Sequence, residues 1–312
     1  MIYDCFTFFN ELDLLEIRLC LLYDHVDKFV IVEADKTFTN KPKPFFYDEN
    51  SARYKKYADK IIHIKVTDQP ESSNPWTLDI AQRECIKRGL VNCKDDDIIQ
   101  VSDLDELIDP SILKKNITEP LRIQINFYYY FVNCKTSETG MEAFIAPYKF
   151  IKNETIDFLR YSKNSIQKYI PIAESGNSMH VSYLFGFNTS RYIIKLQSFA
   201  HQEYNKLPYI SPSHIAFCIK YHIDFLLRDH INMTITSSKH FDEISLKLKD
   251  NPIIKECIYK KNVFNLIPNK SDYNTFLYIY LHKKEIVPNG SYPISLKLKV
   301  FMEYLYFIFR HY

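Results

Sequence analysis

Glycine is scarce in this chain, with five residues among 312. Neither the glycine-rich fingerprint of dinucleotide folds nor the P-loop is present, which excludes both kinds of phosphate cradle. Cys-x-x-Cys spacing is also missing. The seven cysteines, Cys5, Cys20, Cys85, Cys93, Cys134, Cys218 and Cys257, are odd in number and scattered. That argues against zinc-ribbon clusters and suits reduced thiols inside a cell. Neither sign of charge prevails. Forty basic side chains face 38 acidic ones for a formal charge of +2, so there is no electrostatic case for a nucleic-acid binder. No apolar run reaches the roughly 18 residues of a membrane span. The opening "MIYDCFTFFNELDLLEIRL" has no basic leader region and no small-residue cleavage site. It does not read as a signal peptide, and a cytoplasmic protein is expected.

What is present is ordinary for a globular chain: 46% hydrophobic and 25% charged residues. This length suits one large α/β unit with a helical annex, big enough to bury a core without disulfides. Strand and helix patterns alternate through the first 110 residues. "IYDCFTF" has strand composition, and Leu12, Leu15, Leu19 and Leu22 then recur at helical spacing. Asn10 is a plausible N-cap for that helix. "KFVIVEA", "KIIHIKV" and "DIIQVSD" are short runs rich in β-branched residues, fit for strands covered on both faces. "NPWTLDIAQRECIKRGL" reads as a helix closed by Gly89. The alternation predicts a central, mostly parallel sheet flanked by helices. Beyond residue 120 the aromatic-rich "LRIQINFYYYFVN" suggests antiparallel strands, and residues 140–205 look strand-rich. Residues 212–260 look helical, most clearly in "HIAFCIKYHIDFLLRDHI". "LKLKVFMEYLYFIFRHY" ends the chain as a core-packed terminal helix or, alternatively, as a peripheral membrane contact.

The stretch "IIQVSDLDELIDP" carries the chemistry. It sets Asp103, Asp105 and Glu106 at the carboxyl end of a buried strand, the edge where open α/β sheets bind ligands. Asp103 and Asp105, two apart, face the same way in extended backbone. Their repulsion is relieved by protonation, solvation or a cation. Hard oxygen ligands favour Mg2+ or Mn2+, which takes its remaining ligands from water and a phosphate-bearing substrate. Asp109 before Pro110 reads as an N-cap, and Asp95, Asp96 and Asp97 as a solvated turn.

The stretches "YDCFTFFNELDLLEIRL", "VDKFVIVEADKTFTNKPKP", "NPW" with "QRE", "VSDLDELIDP", "KLQSFAHQEYN" and "IDFLLRD" together resemble glycosyltransferase family 17. That family includes enzymes that add the bisecting N-acetylglucosamine to N-glycans. The stretches occur in family order over most of residues 2–230. The resemblance implies a GT-A-like nucleotide-sugar-binding fold, with residues 1–230 as catalytic domain and 231–312 as a mainly helical extension. It implies an inverting transferase using a UDP-sugar donor, UDP-GlcNAc above others, with Mn2+ or Mg2+ and a glycan or glycoprotein acceptor. Asp103 and Asp105 match the family's Asp-x-Asp pair, Asp105 as the direct metal ligand, with His201 or His180 as a third ligand or a diphosphate contact. Glu33, Arg83, Asp103, His180 and Lys195 are the candidate donor contacts. Glu203 and Glu106 are the candidate bases that take the proton of the attacking hydroxyl. "SMHVS" departs from the family's Gly-Trp-His-x-Ser at Ser178 and Met179, which removes an aromatic there. Family members in animals are membrane-anchored, whereas this chain's Lys-, Ile-, Asn- and Tyr-rich composition suits a microbe or a large virus. A carboxylate-pair glycosidase and a non-catalytic glycan-binding relative are the alternatives.

Overall fold

The computed structural model describes residues 1–161, 170–173, 176–228, 231–236 and 247–257. In chain order the strands are β1 (Ile2–Phe8), β2 (Lys28–Ala34), β3 (Ile61–Val66), β4 (Ile98–Val101), β5 (Glu106–Leu107), β6 (Leu121–Ile123), β7 (Ile125–Tyr129), β8 (Cys134–Gly140), β9 (Phe144–Pro147), β10 (Ile172–Ala173), β11 (Met179–Tyr183) and β12 (Met233–Ile235). The helices are α1 (Leu12–Leu22), α2 (Phe46–Glu49), α3 (Pro75–Glu84), α4 (Tyr148–Ile151), α5 (Ile156–Tyr161), α6 (Thr189–Ser198), α7 (Pro212–Tyr221) and α8 (Pro252–Glu256).

A seven-stranded sheet runs β10-β6-β9-β4-β1-β2-β3. Strands β4, β1, β2 and β3 are parallel, and β9 enters antiparallel between β4 and β6. The fold is therefore mixed α/β about a mostly parallel sheet with helices on its faces. Alternation along the strands feeds two apolar layers. Phe6, Phe8, Phe29 and Ile31 join Leu15 and Leu19 of α1 on one face. Cys5, Val30, Val32, Ile99 and Val101 pack with Ile86 on the other. Gly89 lets the turn after α3 close on this second layer. A Cβ there would stand 2.5 Å from Val30 Cγ1.

A five-stranded sheet, β12-β8-β7-β11-β5, lies beyond β4 in the chain. Its last strand, β5, carries Glu106 directly out of the acidic loop and pairs antiparallel with β11, His180 opposite Glu106. Chain beyond residue 230 adds β12 to the edge of this sheet, and Leu248, Ile253 and Ile254 enter the core with α1. The terminal helix expected over 295–312 lies outside the described residues. Among the described residues no helix is long and apolar enough to cross a membrane.

Four local expectations change. The cap position of α1 belongs to Glu11 rather than Asn10, with no side-chain cap bond. Residues 140–205 contain α4, α5 and α6, not strands alone. The long apolar pattern from His214 stops as helix at Tyr221, where His222 turns left-handed (φ 53°). The Asp224 carboxylate then accepts the amides of Leu226 and Arg228, both at 3.2 Å. Such local Asx bonding offers the backbone an alternative to another helical turn. Asp97 is no solvated turn residue either. It is buried and bound to the N-terminal amine at 2.6 Å.

His214 on α7 gives this region an acid limit. Its Nε2 lies 2.7 Å from the Phe225 carbonyl, and burial lowers its pKa to about 4. The unfolded chain takes up a proton near pH 6.5, whereas the folded one waits until about pH 4. Stability is therefore full above pH 6.5 and falls as the pH drops toward 4, by about 3 kcal/mol in all. Urea unfolding at pH 7 and pH 4.5 should show that loss in the native protein and much less of it in His214→Gln.

Candidate functional site

The acidic loop leaves β4 as Ser102-Asp103-Leu104-Asp105 and re-enters regular structure at Glu106. One fully buried side chain from α1 pins it. Arg18 sits among the core leucines of that helix, and a buried charge must find partners. It forks onto Asp4 of β1, Nε and Nη2 donating to the two carboxylate oxygens at 2.8 and 2.6 Å. Nη2 also donates to Ser102 Oγ at 2.7 Å. Nη1 donates to the carbonyls of Asp103 at 2.7 Å and Glu106 at 3.0 Å, with Leu104 at 3.3 Å. All the N–H donors of the guanidinium are thereby spent on one strand carboxylate and one loop. Gln100 of β4 completes the grip on Asp4 at 2.8 Å. Neither Arg18 nor Asp4 was among the expected site residues. The sequence signal was an arginine inside the apolar stripe of α1.

Around the loop stand cations. Arg160 of α5 donates to Asp103 Oδ2 at 2.8 Å and to Glu106 Oε2 at 3.3 Å. Arg83 of α3 reaches Asp103 Oδ1 at 3.3 Å and is held by Asp79 at 2.8 and 3.1 Å. Lys195 of α6 donates to Asp105 Oδ2 and to the Ser182 carbonyl, both at 2.7 Å. His180 of β11 brings Nε2 to 3.4 Å from Asp105 Oδ1 and tilts against the Phe127 ring at 4.4 Å. Burial opposes ionisation of these aspartates. Lys195 and His180 nevertheless hold the Asp105 carboxyl well below its usual range, and Arg160 and Arg83 lower that of Asp103. Glu106 goes the other way, its pKa raised by burial and by the Asp103 charge.

Arg83, Asp103, Asp105, His180 and Lys195 are thus brought together. Glu106 is in the cluster but not as a free base. It is buried and accepts the Asp103 amide at 2.7 Å besides Arg160, which makes it a brace of the loop. Glu33 departs from its expected contact with the nucleotide. It is fully buried and accepts the amides of Phe46 at 2.5 Å and Tyr47 at 3.2 Å, Lys43 at 3.3 Å and His63 at 3.2 Å. From the end of β2 it caps the N-terminus of α2, where it satisfies otherwise orphaned amides. His201 and Glu203 form their own exposed pair, Nδ1 to Oε1 at 2.7 Å. Among the described residues no three His, Cys, Asp or Glu gather as a metal set, so His201 does not complete one with Asp103 and Asp105. His180 is the imidazole beside Asp105.

That donor set still fits a small divalent cation. Mg2+, and Mn2+ by the same preference for oxygen, needs only one or two protein ligands when phosphate and water supply the rest. Asp105 and Asp103 offer such a carboxylate pair at the loop, and His180, its Nε2 2.5 Å from Ser182 Oγ and 3.4 Å from Asp105 Oδ1, stands beside them as a charge rather than a ligand. Lys195 would share Asp105 with the ion.

Compared with known proteins, the fold is similar to the inositol-1-phosphate CTP transferase from T. maritima at 9% identity and TM-score 0.32, over 58% of this chain and 85% of that one. No curated protein matches the chain. The sequence model of glycosyltransferase family 17 matches residues 1–219, and on that match the chain belongs to glycosyltransferase family 17.

Proposed function

We propose that this glycosyltransferase moves N-acetylglucosamine, or a related sugar, from a UDP-sugar to a glycan or glycoprotein acceptor with inversion at the anomeric carbon. Its sheet would serve as a GT-A-like nucleotide-sugar fold, with residues 1–230 as catalytic unit and the chain beyond as extension. The observation that carries this reading is the ring of Arg83, Arg160, Lys195 and His180 around the loop at the carboxyl end of β4. Family membership supplies the reaction class. The ring supplies positive charge where a diphosphate's charge would grow.

The acceptor oxygen attacks the anomeric carbon as the bond to the β-phosphate oxygen breaks. UDP departs with that electron pair. Lys195 and His180 offset its developing charge from a largely buried setting, where such preorganised charge acts most strongly. Arg18 fixes the loop backbone, so Asp103 and Asp105 need not reorganise during the step. Glu203 takes the hydroxyl proton, and His201 orients that carboxylate through their hydrogen bond. A divalent ion held by Asp105 and Asp103 would supply Lewis-acid stabilisation of the leaving diphosphate.

A screen of nucleotide sugars with Mn2+ or Mg2+, reading nucleotide release with and without saccharides, tests the reading. Release from a UDP-sugar is expected, faster with an acceptor, and lost in Asp105→Asn. No release from any donor, or equal release in native protein and variant, would overturn it. Lys195→Met should cost about 10²–10³-fold in kcat, because one preorganised cation is removed from the departing phosphate, and it should also lower stability, because buried Asp105 loses its 2.7 Å partner. Steady-state kinetics beside thermal melting separates those two effects.

A further inference from the structure

We infer that the chain's one tryptophan, Trp76, is a stacking platform for the acceptor saccharide, an assignment that rests on the transferase reading above. Trp76 opens α3, where Asn74 caps the helix through the Trp76 amide at 3.1 Å and Pro75 fills the first position. Its side chain is not drawn into the core. The residue is 40% exposed, as is fitting for a ring that a ligand covers. The His201 ring meets it edge to face with centroids 4.7 Å apart. His201 in turn holds Glu203, and Tyr204 stands 6.2 Å beyond the imidazole. Indole, imidazole and carboxylate therefore form one exposed surface cluster. An aromatic face with an adjacent hydrogen-bonding carboxylate is the chemistry that grips a pyranose: apolar C–H face on the ring, hydroxyls on the polar atoms.

The two elements that bring this cluster together also build the carboxylate loop's cation ring. On α3, Trp76, Asp79 and Arg83 recur at three and four residues and so share one face. Arg83 binds Asp103 from that face. Seven residues of helix put Trp76 about 10 Å from Arg83 along the axis. On the other side α6 sends Lys195 to Asp105, and the chain then continues directly into His201 and Glu203. We therefore place the donor's sugar between the loop and the indole, with Glu203 on the acceptor side.

Trp76 reports on itself, since its fluorescence is the whole indole signal of the chain. β-Linked disaccharides carrying glucose, galactose, mannose or N-acetylglucosamine, N,N′-diacetylchitobiose among them, are titrated at millimolar concentration without donor. At least one should shift or quench the emission, and UDP alone should not. Separately, Trp76→Ala should lower the ratio of transfer to donor hydrolysis about tenfold or more, as expected for one lost stacking contact, and Trp76→Phe should recover most of it. A native ratio in Trp76→Ala overturns the proposal, as does emission that answers to UDP and to none of the saccharides. A chain that releases nucleotide from no donor fails the transferase reading instead. The donor-free titration still decides the platform.

Discussion

Glu203→Gln is expected to lower the rate of sugar transfer by about 10²–10⁴-fold, the usual share of a positioned general base. Glutamine keeps an oxygen for the hydrogen bond that His201 makes at 2.7 Å, yet it cannot accept the acceptor's proton. The pair is half exposed, at 48% and 55% of the two side chains, so the substitution should leave stability almost untouched. Single-turnover transfer beside calorimetric UDP binding separates the roles: kcat falls while UDP affinity persists. A native rate in Glu203→Gln would remove Glu203 from the mechanism. Glu106 is a poor second candidate, because it is buried against Arg160 and the Asp103 amide.

Arg18→Met is expected to destabilise the protein by about 3–5 kcal/mol, the cost of stranding a buried partner charge. The stranded group is Asp4, left with Gln100 as its remaining side-chain donor in the network. Three loop carbonyls and the Ser102 hydroxyl lose their donor at the same time. Arg18→Lys should recover little, since a point-charge ammonium with three donors cannot reproduce the fork on Asp4 and still reach the loop. Urea unfolding measures the loss. In any variant that stays folded, UDP affinity should fall as well, because the loop that carries Asp103 and Asp105 is no longer fixed. Loss of stability below about 1 kcal/mol would mean that the network does not carry the loop.

Much of the fold was legible because short β-branched runs and helical leucine spacing do not need tertiary information. β1 through β4, α1 and α3 fall where those patterns put them. The loop after β4 was legible for the same reason, since a strand end locates it. Its partners were legible only in part. Arg83, His180 and Lys195 were expected from the family resemblance, whereas Arg160 reaches Asp103 across 57 positions, and nothing local marks it as a site residue. The two aspartates were expected to relieve their repulsion with a metal. The chain itself supplies cations to both, which shows why a carboxylate pair in a sequence specifies a need for positive charge but not its source. Glu33 was misleading for a related reason. A carboxylate at a strand end looks the same in sequence whether it meets a ligand or caps the helix that follows.

The most direct test of the whole reading is calorimetric titration of UDP, with and without Mn2+, into native protein and Asp105→Asn. Native protein should bind UDP, more tightly with the ion. Asp105→Asn should lose the ion's contribution, because its amide is a weaker ligand than a carboxylate. No binding by native protein under either condition, or the same ion-enhanced affinity in native protein and variant, would contradict a diphosphate site at this loop.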